Sequence, residues 1–118
     1  MTPPPGLPSV IPRMIVEDPA AAVEFLVTVF AATATPTSGP AEVRLGGALV
    51  LVSGVSAERE AFPAFLYVYV ADVAGTYARA LAAGATSLEE PRETPYGDFR
   101  AMVRDPSGNV FQLAARKA

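Results

Sequence analysis

The chain repeats itself. Val16-Glu17-Asp18 and Val70-Ala71-Asp72 stand almost half the chain apart, and each marks a junction where a strand-like run gives way to a helix-like one. In the first copy, residues 10–17 read as a strand, with Pro12 suited to an edge or an irregular start. Asp18 is placed to cap the orphan amides of a helix, and Pro19 fits its first position. Val23, Leu26, Val27 and Phe30 predict the buried stripe of that helix. In the second copy, Phe65-Leu66-Tyr67-Val68-Tyr69-Val70 is a strand by composition, Asp72 caps a helix over 73–83, and Gly84 ends it in a left-handed conformation. Tyr77, Leu81 and either Ala74 or Ala80 supply its buried stripe. After each helix comes one short strand and a longer pair. The pair is 42–46 and 48–53 around Gly46-Gly47 in the first copy, and 99–104 and 110–114 around Asp105-Pro106-Ser107-Gly108-Asn109 in the second. Residues 85–88 read as the short strand of the second copy, and 89–98 as a loop with two prolines. Two such modules can bury their apolar faces against each other, which restricts the fold more than any single motif does.

The organisation that follows is an extended Pro/Gly-rich arm over 1–9 and a single α+β domain over 10–118, with modules 10–53 and 65–118 and a polar linker 54–64. The chain has 118 residues, 51% of them hydrophobic and 18% charged, enough to bury a core and too apolar for a disordered segment. Its nine basic residues are scattered and the net charge is -3, so neither a nucleic acid nor an anionic membrane is an expected partner. There is no cysteine and no histidine, which removes thiolate chemistry, the usual neutral-pH base and the commonest metal ligand. The N-terminus has no basic region followed by an apolar run, and no stretch approaches the roughly 20 apolar residues of a membrane span. A cytoplasmic protein is the expectation.

Four segments together resemble the vicinal-oxygen-chelate superfamily of glyoxalase I, bleomycin-resistance proteins and extradiol dioxygenases, and within it the small glyoxalase-like branch. They are Ile15-Val16-Glu17-Asp18-Pro19-Ala20-Ala21-Ala22-Val23-Glu24-Phe25, Ala80-Leu81-Ala82-Ala83-Gly84-Ala85, Thr94-Pro95-Tyr96-Gly97-Asp98, and Asp105-Pro106-Ser107-Gly108-Asn109-Val110-Phe111-Gln112-Leu113. The resemblance implies two βαβββ modules forming a curved mixed sheet around a cavity, and a homodimer whose sites can use both subunits. In metal-dependent relatives a histidine opens the first strand of each module, the strand over 48–53 brings a further ligand, and the last strand brings a glutamate. The matching positions here hold Ile11, Phe65, no donor side chain of that kind over 48–52, and Gln112. One neutral amide oxygen cannot hold a hard divalent cation, which needs several convergent donors. No metal and no other cofactor is therefore expected. Gly46-Gly47 also lacks the spacing of a dinucleotide or phosphate loop.

Strand alternation sorts the candidate ligand contacts. If Phe65 marks the cavity side, Tyr67 and Tyr69 share it, and the same offset places Ile11, Arg13 and Ile15 on that side of the first module. Val110, Gln112 and Ala114 point inward from the last strand. Arg100 either meets a ligand anion or belongs to a solvent face, and Arg13 is either a polar point of the cavity or a solvated edge residue. Tyr96 and Phe99 belong to a loop that either covers the cavity or merely connects strands. The candidate site is thus Arg13, Phe65, Tyr67, Tyr69, Tyr96, Phe99, Arg100 and Gln112.

Three functions fit. The first is metal-independent binding or sequestration of a small, largely apolar or aromatic metabolite, as in drug-binding resistance proteins. The second is a metal-free enzyme of secondary metabolism, an isomerase, cyclase or ring-opening lyase or hydrolase, with phenols and a carboxylate such as Glu42 or Asp98 as its acid-base groups. The third is a structural or regulatory dimer with no catalysis.

Overall fold

The first strand begins where Pro12 stops interfering. In the computed structural model, which describes residues 1–116, β1 spans Arg13–Val16. Pro12 lacks an N–H, but its carbonyl accepts from the Leu51 amide at 2.9 Å and so starts the ladder. Asp18 then opens α1 (Pro19–Phe30), its Oδ1 accepting from the Ala21 amide at 3.1 Å. Next come β2 (Thr33–Thr35), β3 (Ala41–Leu45) and β4 (Ala48–Gly54). The second copy follows the same course through β5 (Phe65–Tyr69), α2 (Val73–Ala82), β6 (Thr86–Glu93), β7 (Asp98–Arg104) and β8 (Val110–Arg116). Asp72 caps α2 as Asp18 caps α1, with its Oδ1 accepting from the Gly75 amide at 3.0 Å.

The chain divides into two units, Met1–Phe62 and Pro63–Ala118. Each is a βαβββ module with a four-stranded mixed sheet, ordered β1-β4-β3-β2 in the first and β5-β8-β7-β6 in the second. In both, the first strand runs parallel to the last and the remaining pairs are antiparallel. Positions 117 and 118, the end of the expected second module, lie outside the described residues.

The expectation of one curved sheet is overturned. The ladders make two separate sheets, and none continues from one into the other among the described residues. Part of the reason lies at the free edge of β1. The Ile15 amide donates to the Phe62 carbonyl at 3.1 Å and the Phe62 amide donates back to Ile15 at 2.8 Å, so an isolated bridge occupies that edge.

Each helix buries only part of the expected stripe, Leu26 in α1 and Ala80 in α2, and the rest of the buried face is rotated from it. In α1, Ala22, Phe25, Leu26 and Val29 are buried against Met14, Val16, Val43 and Val52, whereas Val27 is exposed. In α2, Val73, Thr76 and Ala80 are buried against Ala101, Val103, Phe111 and Leu113. Small residues such as Ala22, Thr76 and Ala80 let a helix approach its sheet closely. Tyr77 sits at the flank, donating its hydroxyl to Ser87 Oγ at 2.7 Å.

The loop expected over 89–98 is also corrected. β6 runs on through Glu93 by two register irregularities, and the second of them takes in Pro91, where no ladder donor is required.

The Asp105–Asn109 turn is a structural staple. Asn109 is fully buried, donates its Nδ2 to Asp105 Oδ2 at 2.9 Å and accepts from the Ala64 amide at 2.9 Å. Asp105 Oδ1 also accepts from the Ser107 and Asn109 amides. Burial nevertheless pushes the Asp105 carboxyl above its ordinary pKa, and these hydrogen bonds offset only part of that effect. The staple ties the start of β5 to the turn between β7 and β8, and so sets the position of the aromatic strand.

Candidate functional site

β5 is an edge strand of its sheet, and its alternation separates two environments. Leu66 and Val68 fall on the side of Phe111, Leu113, Ala101 and Val103, which α2 covers. Phe65, Tyr67 and Tyr69 fall on the other side and are 63%, 45% and 58% exposed. The register completes that face. Phe65 is opposite Val110, Tyr67 opposite Gln112 and Tyr69 opposite Ala114, while Gln112 and Ala114 are opposite Met102 and Arg100 on β7.

The aromatic row is held by polar contacts at its tips. The Tyr67 and Tyr69 rings meet edge to face, with centroids 5.3 Å apart and planes at 62°, an arrangement that contributes about 1 kcal/mol beyond simple burial. The Tyr67 hydroxyl donates to Asp98 Oδ2 at 3.2 Å. Arg116 donates from Nη2 to the Tyr69 hydroxyl at 3.0 Å and from Nε to Asp98 Oδ1 at 3.4 Å, and its guanidinium lies 5.7 Å from the Tyr69 ring centre. Partial burial, and then the hydrogen bond and charge of Asp98, raise the Tyr67 pKa above its ordinary 10.0. The phenol therefore stays neutral across the physiological range. It orients groups readily but is a weak base.

Arg100 is committed within the protein. Its Nε and Nη2 grip Glu89 Oε1 and Oε2 at 2.8 and 3.3 Å, and Arg92 meets the same carboxylate at 3.1 Å. The Arg100 hydrogen bond is the main reason that the Glu89 pKa is lowered. Gln112, by contrast, makes no side-chain hydrogen bond among the described residues, so its amide remains available beside Tyr67.

Of the eight residues singled out by sequence, Phe65, Tyr67, Tyr69, Arg100 and Gln112 share this face. Tyr96 sits in the turn between β6 and β7 and is 84% exposed. Phe99 pairs with Ala115, and strand alternation sets it on the side facing α2. Arg13 belongs to the first module, where its Nε donates to Ser53 Oγ at 2.9 Å. Arg116 and Glu89 join the site without having been candidates in the sequence. The first was legible as the next inward position after Gln112 and Ala114, but the second lay in a segment read as loop.

The residues at the family's metal positions do not fit a metal. Gln112 stands between Tyr67 and Met102 across the sheet, and Phe65 carries no donor. Among the described residues no group of three or more His, Cys, Asp or Glu side chains converges. Nor is any described helix long and apolar enough to cross a membrane.

Comparison with known proteins agrees with this picture. The model of the glyoxalase-like domain matches residues 10–114. An uncharacterized protein of Mycobacterium bovis is 29% identical, with the match covering 90% of this chain and 82% of that protein. The crystal structure of TioX from Micromonospora sp. ML1 superposes with a TM-score of 0.74 at 27% identity, covering 91% of this chain and 97% of the other. A glyoxalase/bleomycin resistance protein/dioxygenase family enzyme from Burkholderia phytofirmans PsJN superposes with a TM-score of 0.76 at 22% identity, covering 87% and 94%. The chain belongs to the glyoxalase-like domain family, on a vicinal-oxygen-chelate fold without that fold's metal-binding residues.

Proposed function

We propose that the protein binds and sequesters a small, flat, largely apolar or aromatic metabolite without a metal, using the face of the second module formed by β5 and β8. The observation that carries this reading is the row Phe65, Tyr67 and Tyr69, exposed in a surface whose phenol groups are already anchored. Exposed aromatic area of this kind is costly to leave in water, and anchoring lowers the entropy lost when a ring stacks on it. Gln112 supplies a neutral donor and acceptor to orient a ligand oxygen.

The Tyr67–Asp98 contact favours a second reading, a metal-free acid-base enzyme. The raised Tyr67 pKa weighs against it, because a phenol that holds its proton more firmly is a poorer base. The two readings part in one experiment, with 2-naphthol as a flat probe. Saturable shifts of the Tyr67 and Tyr69 ring signals, weakened in Tyr69→Ala, with the probe recovered at unchanged mass, would support binding. A changed mass would move the assignment to an enzyme, and a lack of saturation would remove the site.

A further inference from the structure

The first module carries a groove that the aromatic face does not explain. Val23 and Val27 lie one turn apart on α1 and are not in the stripe that packs on the sheet; Val27 is 42% exposed. They form one wall of a cavity of about 740 Å³, within the range of roughly 300–1,000 Å³ typical of small-molecule sites. The lining also includes a wall at Pro36 and Pro40, on a connection that Thr37 braces. The Thr37 hydroxyl donates to the Pro40 carbonyl at 2.6 Å and accepts from the Gly39 amide at 3.0 Å. This wall is formed before any ligand arrives, since prolines and an internally bonded turn have little conformational freedom left to lose.

The groove's chemistry differs from that of the second module. No aromatic side chain lines it. Its apolar surface is aliphatic, and its charged residues are Arg13 and Glu24. Arg13 is held through Nε by Ser53 Oγ and forms no ion pair among the described residues, so its two terminal amino groups remain for a ligand. A positioned guanidinium with free donors suits a carboxylate.

We propose that this groove is a second binding site, for an aliphatic chain bearing a single carboxylate, with the carboxylate on Arg13 and the chain along Val23 and Val27. Glu24 then disfavours the reverse orientation by like-charge repulsion.

Decanoate, kept below its micellar range, and decylamine are the probes, each titrated into the full chain and followed by methyl NMR and calorimetry. Decanoate should bind saturably and shift the methyl signals of Val23, Val27 and Ala34. Arg13→Gln should weaken it about tenfold, and Glu24→Gln should leave it unchanged or tighten it. Arg13→Lys, which keeps the charge and loses the Ser53 contact, should fall between wild type and Arg13→Gln. Tighter binding of decylamine, shifts confined to the Tyr67 and Tyr69 signals, or equal affinity in Arg13→Gln would each overturn the proposal. Because 2-naphthol is read on the aromatic signals of the other module, failure here leaves the reading of that face untouched.

Discussion

The two modules share a strand order and a capping aspartate, yet they spend their exposed apolar surface in different places. The second concentrates it on the sheet face away from α2, as an aromatic row with anchored hydroxyls. The first places it beside its helix, as aliphatic side chains above a braced turn. A repeated backbone plan therefore fixes where strands and caps fall without fixing which surface is left for recognition. That choice rests on a few side chains. Tyr67 and Tyr69 turn an edge strand into a stacking surface, while Val23 and Val27 give α1 a second stripe.

The connections before the last strands should show the contrast most strongly. In the second module the buried Asn109 holds two partners, Asp105 and the Ala64 amide, whereas Gly47 in the first has open space around its missing side chain. Asn109→Ala should lower the unfolding free energy by about 3 kcal/mol, because the Asp105 carboxylate and the Ala64 amide each lose a partner. Gly47→Ala should change it by less than about 0.5 kcal/mol. Urea unfolding measures both, and similar values would mean that the turn is no staple.

The helix ends differ as well. α1 closes on Ala31 at φ 56°, a left-handed residue with a Cβ, whereas past α2 the positive φ of 101° falls to Gly84. Ala31→Gly should stabilise the protein and Gly84→Ala should destabilise it, each by about 1 kcal/mol. Thermal melts of the pair would expose an error as a shared sign.

Two carboxyls of the second module should respond to pH in opposite directions. The folded state raises the Asp105 pKa, so its stabilising contribution is complete below the unfolded value and is lost as pH rises through the folded one. The Glu89 pKa is lowered, so its contribution is present above the unfolded value and is lost as pH falls through the folded one. Glu89→Gln should therefore be less stable than the parent at neutral pH, with the gap closing in acid. A gap that widens in acid would contradict the assigned pairing with Arg100. Titration of the Asp105 carboxyl by carbon-detected NMR tests the other sign.

The smallest effect should be seen at Tyr67. Removing the Asp98 charge in Asp98→Asn should bring the phenol back toward its ordinary pKa, although burial will keep part of the rise. Ultraviolet titration follows it, and an unmoved midpoint would mean that the 3.2 Å contact carries no weight.

Much of this was written in local sequence. Asp18-Pro19 and Asp72 are helix starts because a short carboxylate satisfies orphan amides wherever it sits, and the offset between them revealed two modules. Alternation along Phe65-Leu66-Tyr67-Val68-Tyr69 put the aromatic row on one face, and the missing histidines excluded the family's metal centre. Tertiary structure alone decided which helical stripe went inward, since Val23 and Leu26 are equally apolar and only fit against the sheet separates them. It also paired Arg100 with Glu89 and carried β6 past Pro91, because ion pairs and bulges depend on register between strands that are distant in sequence. The two separate sheets have the same origin: the repeat specifies the strands, but hydrogen bonds such as those between Phe62 and Ile15 determine where a sheet ends.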